Sequence, residues 1–336
     1  MTNTSIRVVL ITSSCLVFHA SAATDSSSTI TPLFGYQDDG LSAPVPEKTT
    51  VKPAENHTIL PFLGDEARKR GYELPAPFGV NINYMNIRQN INVDSINFNG
   101  LSLGGRSLDN AFKISVGNTR ERSKTETLKL DAWLLPFMNV YGLIGYTDGH
   151  SVSQIGVGIK GPLKDRTPSS LQNLAFQLDF KGTTYGVGTT LVGGVGNWFT
   201  AFDANYTQTR FDILDGSIDA LTLSPRIGYR FTTPSVDALH LPSGKLNLWV
   251  GSMYQDVQQE FSGSLNDLTM PSETLQRLVD IANKDGNGRF DVKQHLQSPW
   301  NVLVGAQYEI TRNFNVTTEI GFAERNSFFM AGEYRF

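Results

Sequence analysis

The chain closes on Ser327-Phe-Phe-Met-Ala-Gly-Glu-Tyr-Arg-Phe336. Read at period two, Phe328, Met330, Gly332, Tyr334 and Phe336 share one face of a strand, and Ala331, Glu333 and Arg335 share the other. A strand needs that separation when lipid lies on one side and a polar lumen on the other. It runs to the last residue.

Working back toward Pro77, the same alternation recurs between turn signals. Candidate strands are 78–89, 91–101, 111–119, 125–135, 138–147, 152–161, 171–181, 184–195, 197–210, 217–231, 246–254, 300–310, 314–323 and 327–336. A terminal aromatic closing an alternating strand resembles the C-terminal signature of Gram-negative outer-membrane β-barrels, whose assembly machinery reads that end. The resemblance is to the class and covers the region from Pro77 onward. It implies an all-β, antiparallel up-and-down transmembrane barrel of about 14 strands, or about 12 if one of the weaker pairs is lost, each near the ~10 residues a tilted strand requires. Outer-membrane lipid and the barrel assembly machinery are the implied partners.

The opening stretch has Arg7, an apolar run 8–18 and the small-residue site Ala20-Ser21-Ala22, which reads as a secretory signal peptide over 1–23. No later stretch approaches the roughly 20 apolar residues of a spanning helix, so any crossing is by strands. The single cysteine, Cys15, lies inside the apolar run, which leaves the exported chain without disulfides or thiolate chemistry. Thirty-one glycines beside 20 phenylalanines and 11 tyrosines suit a curved sheet with aromatic girdles, and a net charge of -4 makes nucleic acid an unsuitable partner.

Residues 24–76 read as a periplasmic leader, rich in Ser, Thr and Pro up to Thr58. One short helix is expected within 60–74, with Asp65 near its start and Gly71 as its stop, either capping the barrel mouth or leading into the first strand. Tight corners at Gly196-Asn197 and at 311–313 belong on the periplasmic side, and the long interval 257–298 belongs outside.

A charge facing lipid at mid-membrane costs roughly 2 to 4 kcal/mol for Arg or Lys, so charged strand residues are assigned to the lumen. This places Lys113, Lys129, Asp131, Asp179, Asp203, Arg226, Arg230, Glu309, Glu319, Glu333 and Arg335 inside, with Asn81, Asn83, Gln177 and Gln307. These charges either pair across the bore and fill it or line a narrow wet passage. Trp133, Tyr141, Tyr146, Tyr185, Trp249 and Trp300, near strand ends, are expected to anchor the interfaces.

Two local patterns carry chemistry. Residues 271–283 read as an amphipathic helix capped by Ser272, running into Asn283, Asp285, Asn287, Arg289 and Asp291, which resembles an EF-hand loop with Gly288 at its turn. Asn283 replaces the usual first Asp and Gln294 the twelfth Glu, so calcium would bind weakly and hold the loop over the mouth; no other cofactor is implied. An Asn-Gly turn without metal explains the same residues. The second pattern is His150 beside Ser151 and Ser153, the nearest approach to a lipid hydrolase. Adjacent strand residues point to opposite faces, and the outer-membrane phospholipase pattern is not matched, which argues against an enzyme.

The functional expectation is a channel or transporter passing small solutes through a polar, mixed-charge lumen. The alternatives are a structural or surface-binding barrel acting through its long outer loop, and an outer-membrane lipid hydrolase.

Overall fold

The computed structural model describes residues 59–70, 74–108, 112–159, 171–212, 214–234 and 244–336. The expected signal peptide, the leader up to Thr58 and Gly71 lie outside these. The expected helix is α1, Gly64–Lys69, with Asp65 and Glu66 in its first turn and Arg68 and Lys69 in its last, where each sign complements the helix dipole. Phe62 N–H donates to Leu134 O at 2.8 Å, which ties the start of this segment to the base of the sheet.

Eleven strands form one antiparallel sheet. They are β1 (Phe78–Asn99), β4 (Phe112–Leu135), β5 (Met138–Ile159), β6 (Leu174–Val195), β7 (Trp198–Phe211), β8 (Asp215–Thr233), β9 (Gly244–Ser264), β10 (Arg289–Leu296), β11 (Trp300–Glu309), β12 (Phe314–Phe322) and β13 (Asn326–Arg335). The small hairpin β2 (Ser102–Leu103) and β3 (Arg106–Ser107) stands apart. Its turn uses Gly104 and Gly105 at φ 58° and 78°, the pair of positive angles a two-residue hairpin turn demands.

The architecture is the expected one, but the expected count of 14 or 12 is corrected. The eight segments read between 78 and 195 join pairwise into β1, β4, β5 and β6, each of 22 or 24 residues. Such strands are about twice as long as a membrane requires. Charged and glycine-bearing stretches such as 120–124 and 148–151, read as turns, are strand residues standing above the hydrocarbon. Conversely, β10 lies inside the interval read as a loop.

The sheet closes on itself. β1 pairs with β4 on one side and β13 on the other, and Phe78 and Phe336 exchange both backbone hydrogen bonds, at 3.2 and 3.0 Å. At this base the ring has ten strands, an even number, with both ends of the described barrel on one side. Higher up, β1 leaves β13 after Arg88 and pairs with β10 from Ile91, while β9 leaves β11 and pairs with β10 from Gln258. There β10 replaces three short strands, so eight continue upward.

The two halves have opposite polarity. Around the base the outer face is a belt of exposed apolar side chains, among them Ile82, Leu130, Ile144, Val187, Leu221, Val250 and Ile320, with Ile82 71% exposed. Aromatic pairs edge it: Trp198 with Tyr229, and Tyr254 with Trp300, at 5.2 and 5.1 Å between ring centroids. Such a belt is stable where lipid covers it. Above the belt the outer face turns to Arg120, Arg122, Lys124, Asp148 and Asp179, and the inner face becomes apolar.

That upper inner face holds one apolar cluster, including Ile91, Ile155, Phe176, Phe180, Phe261, Phe290 and Val292. Register shifts between Val93 and Ser95 in β1 and between Val116 and Thr119 in β4 reverse the alternation. They turn Ile96, Phe98, Ile114 and Val116 onto the cluster. α2 (Glu273–Ala282) completes it with Leu275, Val279 and Ala282. As expected, Ser272 Oγ caps this helix, accepting from Leu275 N–H at 3.2 Å.

Candidate functional site

The bore is built in layers. At the base Asp131 accepts from Arg335 Nη2, Asn81 Nδ2 and Asn139 Nδ2 at 2.9, 2.9 and 2.6 Å. Arg335 also pairs with Glu333 and donates to Ala76 O at 3.0 Å, with its guanidinium 5.7 Å from the Trp133 ring centroid. The C-terminal strand therefore locks the bore floor as well as the wall.

The next layer spans non-neighbouring strands. Tyr141 Oη donates to both carboxylate oxygens of Asp203 at 2.9 and 3.0 Å, Thr190 adds a bond to Asp203 at 2.7 Å, and Lys129 Nζ lies 4.3 Å over the Tyr141 ring. Arg226 reaches from β8 to Glu319 on β12 with two bonds, at 2.8 and 3.0 Å, and Trp249 Nε1 donates to the same carboxylate at 2.8 Å. Arg230 meets Glu309 at 2.7 Å, braced by Asn247 and Gln307. Gly305 makes room for Trp249: a Cβ there would come within 2.3 Å of the indole. Buried ion pairs of this kind need such complete hydrogen bonding to offset their desolvation.

Above runs a column of threonine hydroxyls, Thr125 to Thr147 at 3.0 Å, Thr147 to Thr184 at 2.8 Å, and on to Thr209. Glu121 then bridges the bore, accepting from Gln89 and Gln259 at 3.1 and 2.6 Å. Glu121 stands above the lipid belt, and burial pushes its carboxyl up to about 7. Over this layer sits the apolar cluster under α2. Asp131, Asp203, Arg226 and Lys129 are all buried, so the side chains themselves occupy the lumen.

Nine of the eleven charged residues assigned to the lumen face it: Lys129, Asp131, Asp203, Arg226, Arg230, Glu309, Glu319, Glu333 and Arg335. Lys113 and Asp179 do not, nor does Gln177; all three are exposed on the outer wall. Lys113 lies beyond the β4 register shift, which reverses its face, and 177–179 stand above the belt, where the outer face meets water. Trp133, Tyr141 and Trp249 are also corrected. They are buried in the bore rather than anchored in the interface, while Tyr146, Tyr185 and Trp300 do face outward. Sequence reading overlooked Glu121, because its neighbours on β4 read as a polar turn; the unbroken alternation 119–133 is the signal that would have found it.

In the loop after α2, Asn283 Oδ1 accepts from Gly288 N–H at 2.6 Å, Asn283 Nδ2 donates to Asn266 at 2.9 Å, and Asp285 accepts from Ser102 Oγ at 3.0 Å. Arg289 pairs with Asp215, and Asp291 stands on the outer face of β10. Asn287 lends its carbonyl to a close approach of Gly100. Asp285 and Asn287 thus tie the loop to the β2–β3 side of the mouth, and Arg289 ties it to β8. His150 faces outward, whereas Ser151 and Ser153 are buried facing in, so no nucleophile and base are brought together there.

The sequence matches no protein-family model and no curated protein. Among solved structures it is similar to the beta domain of the Bordetella autotransporter BrkA, with a TM-score of 0.36 and 10% identity over 78% of this chain and 100% of that one. It is similar also to the transport unit of the autotransporter AIDA-I from Escherichia coli (0.35, 12%, covering 77% and 90%). The outer membrane protein OprG from Pseudomonas aeruginosa gives 0.32 at 12%, covering 78% and 98%. The nature of this chain follows from its own apolar belt and closed ring. It is an outer-membrane β-barrel.

Proposed function

We propose that the protein works at the cell surface as a binding or structural barrel, with the ten-stranded ring as its anchor and the extracellular extension as its working part. The observation that carries this is the double seal: a hydrogen-bonded charged layer within the membrane and an apolar cluster closed by α2 above it. A passage open to solutes needs neither. The extension is also far longer than spanning requires, and surplus folded structure outside the membrane is where a partner can be met. Calcium enters this reading only as a weak structural ligand of the 283–291 loop, at about millimolar level, which calorimetry on the full chain checks.

The experiment replaces residues 268–288 by a short flexible linker. The variant should still insert and shift mobility on heating, yet fail to restore a surface property that loss of the whole protein removes. Full restoration would refute the reading.

A gated channel is the second reading. Lys129 Nζ, Asn139 Oδ1, Asn205 Oδ1 and Ser224 Oγ are buried without a hydrogen-bond partner among the described residues. Polar atoms of that kind favour a bore that admits water or small polar solutes when its seals loosen. Conductance appearing in Arg226→Ala, and absent from the parent, would favour it.

A further inference from the structure

We propose that Arg88, Arg120, Arg122 and Lys124 form a docking surface for phosphate-bearing lipid headgroups of the outer leaflet. All four are exposed on the outer wall of β1 and β4. Arg88 stands directly opposite Arg122 in the register, with Arg120 and Lys124 two residues to either side on the same face. Directly opposed cross-strand residues have Cβ atoms about 5 Å apart, and like charges so placed repel.

No carboxylate among the described residues forms an ion pair with any of the four. The nearby acids are engaged or set aside: Asp148, opposite Lys124, holds Lys181 at 2.9 Å, and Asp179 accepts from Gln177 at 2.8 Å. Glu126 stands one step below Lys124, and Glu324 lies in the turn before β13. His150, opposite Arg122, supplies no negative charge. A cationic row of this kind is stable when an external anion covers it.

Depth selects the anion. Below Lys124 on the outer face comes Glu126, flanked by Tyr84 and by Tyr146 of β5 at the edge of the belt, and below these Ile82, Leu128 and Leu130 face hydrocarbon. The cations therefore stand at headgroup height, where phosphates are held by lipid. Across the ring the outward residues of β9 just above the belt are Asp256 and Gln258, so the cationic row is local to one side. Arginine forks fit phosphate oxygens two at a time, which suits three arginines in one row.

The test uses the full refolded chain and native mass spectrometry, with a diphosphorylated lipid A, the same glycolipid lacking its phosphates, and inorganic phosphate as separate probes. The parent should retain the diphosphorylated lipid, and Arg88→Gln/Arg122→Gln should retain it about tenfold less. Lys69→Gln, on the periplasmic helix, should match the parent. Equal retention by the double variant, equal retention of the dephosphorylated lipid, or equal binding of inorganic phosphate would each overturn the proposal. If the double variant does not fold, as read from heat-dependent mobility, Arg122→Gln alone carries the same comparison.

Discussion

Arg226 and Glu319 meet across the bore from strands that are not neighbours, joined by two hydrogen bonds of 2.8 and 3.0 Å, with side chains 0% and 4% exposed. Removing one partner leaves the other charge buried and uncompensated, so Arg226→Met should destabilise the barrel by about 3 to 5 kcal/mol. Replacing both with apolar residues of similar volume should restore most of that loss. Urea unfolding followed by the heat-dependent gel shift checks both variants, and equal loss in the double variant would show that the pair does more than neutralise itself.

The reversal of polarity along single strands makes a paired prediction on β6. Val187 is 65% exposed in the belt, and Gln177 lies ten residues along the same strand on the same outer face. Val187→Lys should cost about 2 to 4 kcal/mol, as a cation at membrane depth does. Gln177→Lys should change stability by less than about 0.5 kcal/mol, as surface substitutions do. Comparable losses at both positions would place the lipid boundary wrongly.

Glu121 gives the extension a pH dependence of defined sign. Its carboxyl titrates near 7 when folded against 4.5 for an ordinary glutamate, because burial outweighs the hydrogen bonds from Gln259 and Gln89. The folded state therefore holds the proton more tightly. Its contribution is fullest below pH 4.5, declines as pH rises to about 7 and levels off above, a loss of about 3 kcal/mol. Glu121→Gln should flatten that slope in unfolding measured between pH 5 and 8; an unchanged slope would exclude Glu121 as its source.

Leu275 is the central apolar contact of α2 with the mouth of the extension, and it is 4% exposed. Leu275→Ala should cost about 2 to 5 kcal/mol. Because α2 touches only the extension, that loss should appear as faster protease cleavage within 265–288, while the membrane ring keeps its heat-dependent mobility.

Much of this was legible in the sequence. The alternation of 327–336, the faces of β7 and β8, the side on which the 196–197 corner lies and most luminal charges follow from period two and the cost of charge in lipid. Asp179 and Gln177 differ from expectation because they stand above the lipid, where the cost of charge in hydrocarbon no longer decides the face. There the same period-two pattern encodes an apolar inside and a wet outside, so strand β6 carries two opposite codes without a break. The register shift that moves Lys113 outward adds one residue to a strand and leaves no compositional mark. Pairing partners such as Tyr141 with Asp203 depend on ring closure, which local pattern does not specify.

Ion conductance of the purified full chain across a planar bilayer bears most directly on the sealed bore. Insertion without steady current above the lipid baseline, at both signs of applied voltage, is the expected result. Stable current steps of porin size from the parent chain would contradict it.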